Sequence, residues 1–154
     1  MNSDPRVMEF FPACLTREES DALVVLAEAH FETRGFGPFA AELRDTGEFA
    51  GFVGLMVPRF EAYFTPCVEI GWRLAAKFWN QGLATEAAQA VLQLAFGALA
   101  LPEVVSFTTV ANRPSRRVME KIGLKYDGEF DHPGLVEGHP LRRHVLYRCS
   151  KTNL

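Results

Sequence analysis

Residues 67–88, CVEIGWRLAAKFWNQGLATEAA, read as a strand, a polar loop holding one glycine, and the opening of a long helix. Val68, Ile70, Trp72 and Leu74 alternate with Cys67, Glu69, Gly71 and Arg73, which is the two-residue period of a β-strand. From Ala84 onward, Ala84, Ala88, Val91, Leu92, Ala95 and Leu99 recur at helical spacing. Between the two patterns, Asn80-Gln81-Gly82-Leu83-Ala84 places backbone N–H groups without intrahelical acceptors at the positive end of the helix. Gly82 has no Cβ, so an anion can approach the main chain closely. The stretch therefore predicts a site for an elongated phosphorylated ligand.

The rest of the composition narrows the class. At 154 residues, 48% hydrophobic and 23% charged, the chain is expected to form a single domain over 1–154 with a substantial core. No run approaches the ~18 apolar residues of a membrane span, and the N-terminus lacks a signal-peptide layout; a cytoplasmic protein with no membrane partner is expected. Cys14, Cys67 and Cys149 are odd in number, widely spaced and without a CxxC pair, so they read as reduced thiols and not as a disulfide framework or metal site. A net charge of −3 argues against nucleic acid as a partner.

Taken in order, residues 4–12 predict a turn and a short helix. Thr16 and Glu19 form a capping box for a helix from about Arg17 to Arg34, with Leu23, Leu26, Ala27, His30 and Phe31 facing inward. Pro38–Arg44 and Phe49–Val57 are strands joined at Asp45-Thr46-Gly47. A loop rich in aromatics follows at 58–66. Beyond the opening stretch come a strand at Glu103–Val110, a helix opened by Asn112-Arg113-Pro114-Ser115 and closed near Gly123, and strands at Leu124–Phe130 and Arg142–Arg148. A helical crossover joins the strands near 70 and 106, which are therefore parallel.

This order, together with EIGWRLAAKFWNQGLATEAAQAVL (69–92) and VANRPSRRVMEKIGL (110–124), resembles the GNAT N-acyltransferases over essentially the whole chain, and within them the Rim-type, ribosomal-protein-alanine acetyltransferase branch. The resemblance implies an α/β fold: a mixed, mainly antiparallel central sheet with one splayed parallel pair and helices on both faces. It implies acetyl-CoA as donor with no metal. The pyrophosphate would lie on Asn80, Gln81, Gly82, Leu83, Ala84 and Thr85, and the pantetheine arm would pair with backbone groups of Ile70, Trp72 and Leu74. Three departures stand out. Trp79 occupies the loop's first position, often Arg or Gln, a substitution usual in the Rim-type branch. Met119 stands where many members carry a proton-donating tyrosine, which leaves Ser115 as the candidate. The edge strand and helix that usually precede DPRVMEFF are missing, so an open sheet edge and a homodimer formed through it are expected.

Acyl transfer from a thioester to an amine needs a neutral nucleophile, a polarised carbonyl and a protonated leaving thiolate. Glu69 is the candidate base; it reads equally as a solvent-facing strand residue or a partner of Arg73. A backbone N–H of the strand, at Trp72 or Leu74, is the expected donor to the carbonyl oxygen. Asn112 reads as a pantetheine ligand and as a helix N-cap, and Ser115 as a donor to the thiolate and as a first-turn residue. Arg113, Arg116 and Arg117 cluster at the helix start, with Arg117 assigned to the CoA phosphates. Phe60, Tyr63 and Phe64, with His132 from the loop 131–141, are assigned to the acceptor mouth; His139 shares that loop, and His144 reads as a strand residue. An α-amine with pKa about 7.7–8.0 is partly neutral near neutral pH and needs little base, unlike a lysine near ~10.4. A protein or peptide N-terminus is thus the expected acceptor. A small-molecule amine (an antibiotic or a polyamine, which Glu61, Glu69, Asp131 and Glu137 could surround) and a CoA-binding module without turnover are the alternatives.

Overall fold

In the computed structural model, which describes residues 1–151, the elements in chain order are α1 (Arg17–Arg34), β1 (Pro38–Glu42), β2 (Phe49–Met56), β3 (Glu69–Leu74), a single 3-10 turn (Ala76–Phe78), α2 (Leu83–Phe96), β4 (Glu103–Thr109), α3 (Arg113–Lys121), β5 (Lys125–Asp131) and β6 (Arg143–Ser150). The strands form one six-stranded sheet in the order β1-β2-β3-β4-β6-β5, antiparallel except for the β3–β4 pair. No helix among the described residues is long and apolar enough to cross a membrane.

Local sequence sets the boundaries. Thr16 Oγ accepts from the Glu19 N–H at 3.1 Å while the Glu19 carboxylate accepts from the Thr16 N–H at 2.8 Å, which opens α1 by the predicted capping box. Gly35, at φ 76°, closes it. The apolar side of α2 (Ala88, Val91, Leu92, Ala95, Phe96) packs with Met119 and Ile122 of the α3 region against Val53, Leu55, Ile70, Val104 and Val145 on one face of the sheet. The opposite face carries a second cluster, Phe64, Val105, Phe130 and Leu146, bordered by Phe60, Ala62, Cys67 and Phe107. It is covered by the loop 58–66.

The feature that positions the site is the failure of β3 and β4 to stay together. They share one register pair, Glu69 with Val105, and the Val105 N–H donates to the Val68 carbonyl at 2.9 Å. On the other side of β3, the Ala75 N–H donates to the Ala50 carbonyl at 2.9 Å. Antiparallel alternation then has Gly71 and Arg73 bonded to β2, with the N–H and C=O groups of Ile70, Trp72 and Leu74 turned toward β4. Beyond Glu69 the strands part, and the main chain of Trp72 and Leu74 faces an open wedge.

Two expectations are corrected. Residues 4–12 form hydrogen-bonded turns, not a helix. No residue of α1 is buried: Leu23 and Leu26 are exposed, as are Val24 and Val25, at 56% and 62%. The reason is that α1 touches the sheet only through its last turns, where His30 accepts from the Val57 N–H at 3.0 Å and pairs with the Phe36 carbonyl at 2.6 Å, and Phe31 stacks edge-on against Phe39. β1 is the edge of the sheet, and no further strand of the described residues lies beyond it to cover the rest of the helix.

Candidate active site

The loop between β3 and α2 meets the requirements of a phosphate site in detail. Asn80 (φ 59°) and Gly82 (φ 82°) are both left-handed, a conformation that asparagine tolerates better than most residues and glycine adopts freely. Gly82 is the N-cap of α2 and offers no side chain to it; its carbonyl accepts from the Glu86 N–H at 3.0 Å. The N–H groups of Leu83, Ala84 and Thr85 precede that first intrahelical bond and are left for an external acceptor. A Cβ built on Gly82 would meet nothing within 4 Å, so the space in front of these donors is open. The Gln81 side chain turns away, donating to the Lys77 carbonyl at 2.9 Å. An anion held here is held by main chain, and these residues fit the pyrophosphate of a CoA molecule.

At the wedge, the Trp79 indole N–H donates to the Leu74 carbonyl at 2.9 Å. That carbonyl is thereby engaged inside the protein, so Leu74 offers the wedge its N–H, and Trp72 offers both of its backbone groups. Across the wedge, Asn112 is 9% exposed and hydrogen-bonded. Its side-chain oxygen accepts from the Ser115 N–H at 3.2 Å and its amide donates to Thr108 Oγ1 at 2.8 Å, so in this structure the side chain is an N-cap tied to β4. Ser115, half-buried in the first turn of α3, keeps a hydroxyl with no protein partner among the described residues. Met119 lies in the core at 1% exposure. Arg116 donates to the Val110 carbonyl at 3.1 Å, whereas Arg117 is exposed.

Glu69, Gly71 and Arg73 project from the face of β3 that also carries Val105 and the aromatic cluster. Glu69 is half-buried as a residue, yet its carboxyl is deep enough among protein atoms that burial raises its pKa to about 8. No hydrogen bond or ion pair holds it among the described residues. The alternative pairing with Arg73 is not formed: Arg73 Nη1 donates to Asn2 Oδ1 at 2.9 Å, and the guanidinium lies between Phe11 at 4.0 Å and Phe52 at 5.4 Å. Burial lowers its pKa to about 10. Burial, with Glu69 nearby as a lesser cause, lifts the Cys67 thiol to about 11 and keeps it protonated.

The aromatic loop closes this face. Phe60 stacks on His132 at 4.6 Å and meets Phe107 edge-on at 5.6 Å, whereas Phe64 is a core residue and Tyr63 stands 68% exposed. His132 and His144 lie 5.0 Å apart, and burial lowers both pKa values, so both rings are neutral at pH 7. Of the four acids that could surround a polycation, Glu61 and Glu137 are exposed and Asp131 is paired with Arg143 at 3.1 Å, leaving Glu69 alone. Two clefts of about 290 and 480 Å³ lie by Arg34, Val57 and Pro66–Val68, away from the loop that opens α2. No group of three or more His, Cys, Asp or Glu among the described residues could hold a metal. Sequence reading missed the Trp79 cap, the approach of His144 to His132, and the unpaired state of Arg73; only the last left a trace, as the third residue of one face in Glu69-x-Gly71-x-Arg73.

The model of the acetyltransferase (GNAT) domain matches residues 1–125. The FsC-acetyl coenzyme A-N(2)-transacetylase of Aspergillus fumigatus is 33% identical over an alignment of 170 residues that covers all of this chain and 72% of that protein. Among solved structures, a GNAT-family acetyltransferase from Bacillus anthracis superposes with a TM-score of 0.78 at 27% identity, over 98% of this chain and 85% of that one. Mycobacterium smegmatis RimJ, solved in complex with CoA-disulfide, superposes with a TM-score of 0.70 at 25% identity, over 89% of this chain and 63% of that one.

Proposed function

The chain belongs to the GNAT acetyltransferase family, and from that premise we propose that it acetylates an α-amine, with Glu69 as the base and the Gly82 loop as the pyrophosphate holder. That it is an N-acetyltransferase using acetyl-CoA follows from the family; the residue roles and the acceptor are the proposal. The observation that carries it is the carboxyl of half-buried Glu69 at the start of the wedge, unpaired among the described residues, with burial raising its pKa to about 8. A base is most effective when its pKa lies near the working pH and near that of the group it deprotonates, and an α-amine at about 7.7–8.0 matches it where a lysine at ~10.4 does not.

Acetyl-CoA supplies the acetyl group as a thioester. Glu69 takes the proton that the amine nitrogen releases as its bond to the acetyl carbon forms. The Trp72 and Leu74 N–H groups face the wedge, where a carbonyl oxygen gaining charge needs donors. Ser115, with its unpartnered hydroxyl, is the group positioned to return a proton to the departing sulfur. Phe60, Phe107 and His132 wall the acceptor side and exclude water. Trp79 in the loop supports the Rim-type reading.

The test is CoA thiol release from acetyl-CoA with Ala-, Ser- and Met-starting peptides set against spermidine and an aminoglycoside. Peptides are expected to turn over at least tenfold faster in kcat/KM; faster turnover of spermidine would reverse the assignment.

The open edge of β1 supports a homodimer. The Leu55 N–H donates to the Gly37 carbonyl, so by alternation Phe39 and Ala41 bond β2 while Ala40 turns its N–H outward. Sedimentation is expected to give a dimer that Ala40→Pro converts to a monomer, since proline removes the outward donor and spares the inner ladder. A monomeric parent chain would end this reading.

A further inference from the structure

Glu69 and Arg73, an acid and a base, stand on one face of β3, and neither forms an ion pair among the described residues. Each is drawn partly out of water, where an uncompensated charge is costly. The guanidinium shows how it would be satisfied. Phe11 and Phe52 cover its flat faces, and Nη1 is spent on Asn2. The Nε–Nη2 edge remains, two parallel donors at the spacing of a carboxylate's two oxygens. Nε is buried with no hydrogen-bond partner among the described residues.

Between the two residues β3 itself carries no side chain on this face, and the Met56 side chain of β2 and the Glu69 carboxyl border the gap. Gly71 lies between them, and a Cβ there would come no closer than 3.6 Å to the Met56 side chain and 3.8 Å to the Glu69 carboxyl, ordinary contact distances. The residue opposite Gly71 in register is Gly54, and there the Gly37 carbonyl and Pro38 of β1 occupy the place of a Cβ, so the open stretch lies over Gly71 alone. Four strand steps separate Glu69 from Arg73, roughly 13 Å between α-carbons, and the Glu69 carboxyl reaches over Gly71.

Resting on the α-amine reading above, we propose that the acceptor is zwitterionic: its amine lies at Glu69 and a carboxylate a few bonds away takes the Nε–Nη2 edge of Arg73. The ligand lies along β3 over Gly71. Phe11, at the surface with 36% of its area exposed, shifts to admit the carboxylate to the sealed Nε. A polyamine brings the wrong charge to Arg73. An uncharged amine leaves it unsatisfied. Two sources supply the required chemistry, a free amino acid and a peptide N-terminus with an acidic residue close behind it.

The experiment compares Ala-Asp-Gly-Gly-amide with Ala-Asn-Gly-Gly-amide, and free alanine with alaninamide, by thiol release. It also follows the Arg73 Nε–H resonance, assigned by its loss in Arg73→Gln, during titration with the same four probes. The carboxylate-bearing member of at least one pair is expected to be favoured tenfold or more in kcat/KM and to shift the Nε–H signal. The preference is expected to fall below twofold in Arg73→Gln and to return in part in Arg73→Lys. Because it is a ratio within one variant, it is insensitive to any loss of stability. Preference in the peptide pair assigns acidic N-termini, and preference in the alanine pair assigns free amino acids. A shifted Nε–H signal without acetyl transfer would keep the zwitterion site and remove the α-amine reaction. Equal rates for both members of each pair with an unmoved signal would overturn the proposal.

Discussion

Glu69→Gln is expected to lower kcat/KM for a peptide acceptor about 100-fold while leaving acetyl-CoA affinity within twofold. General bases contribute roughly 10²–10⁴-fold, and the low end applies because an α-amine supplies a fair neutral fraction by itself. The pH profile gives the sharper reading. Below both pKa values the parent enzyme must lose one proton from the ammonium and one from Glu69, whose pKa burial raises to about 8. Log kcat/KM should climb with a slope near 2 on the acid side and with a slope near 1 in the glutamine variant, which titrates the amine alone.

Stability should move the opposite way. A carboxyl whose pKa is higher folded than unfolded holds its proton more tightly in the folded state. Its contribution is fully present below the unfolded value of about 4.5 and is lost as pH rises to about 8. At pH 9 the parent therefore carries a buried charge that the variant lacks. Glu69→Gln is expected to be more stable there by ~1–3 kcal/mol, after discounting for the solvent contact the residue retains, and nearly equal to the parent at pH 4. Thermal unfolding at the two pH values measures it. A variant with more than a tenth of the parent rate and an acid slope of 2 would remove Glu69 from the chemistry.

The strand–loop–helix was legible because each part has its own local signature: period 2 through Leu74, a glycine at the one position that needs φ 82°, period 3.6 from Ala84. α1 shows why such signatures stop at the element. Its capping box and Gly35 marked its two ends correctly, but spacing names an apolar face without naming what covers it, and Leu23 and Leu26 are left exposed. Arg73 is the complementary case. Its partners Asn2 and Phe11 lie 71 and 62 positions away in the chain, so pairing with the nearby Glu69 was the natural local guess and the fold made it wrong. Asn112 could be read two ways because one amide can cap a helix and bind a ligand, and the bonds to Thr108 and Ser115 establish the cap while leaving a second N–H and a second lone pair on the amide. The Trp79–Leu74 bond spans five residues yet depends on the path of the intervening 3-10 turn, which no residue pattern announces.

Gly82→Ala is expected to weaken acetyl-CoA binding about 30-fold, and the structure supplies its own control. Gly82 and Gly47 are both left-handed, at φ 82° and 68°, and at neither would an added Cβ meet an atom within 4 Å. Alanine should therefore cost the fold about the same at each, ~1 kcal/mol of backbone strain, or roughly 2–4 °C in Tm. The two differ in what they adjoin: Gly47 lies in the turn between β1 and β2, whereas Gly82 is the N-cap immediately before the free N–H groups of Leu83, Ala84 and Thr85, where an added methyl is expected to crowd an anion. A phosphate pushed outward there loses charge-assisted bonds to several donors at once, and 30-fold is about 2 kcal/mol, the order of one such bond. Calorimetry of acetyl-CoA binding alongside thermal unfolding reads both quantities. Matched losses in Tm with a loss of affinity at Gly82→Ala alone would place the pyrophosphate on the loop. Unchanged affinity in Gly82→Ala would mean that the donors opening α2 do not hold it.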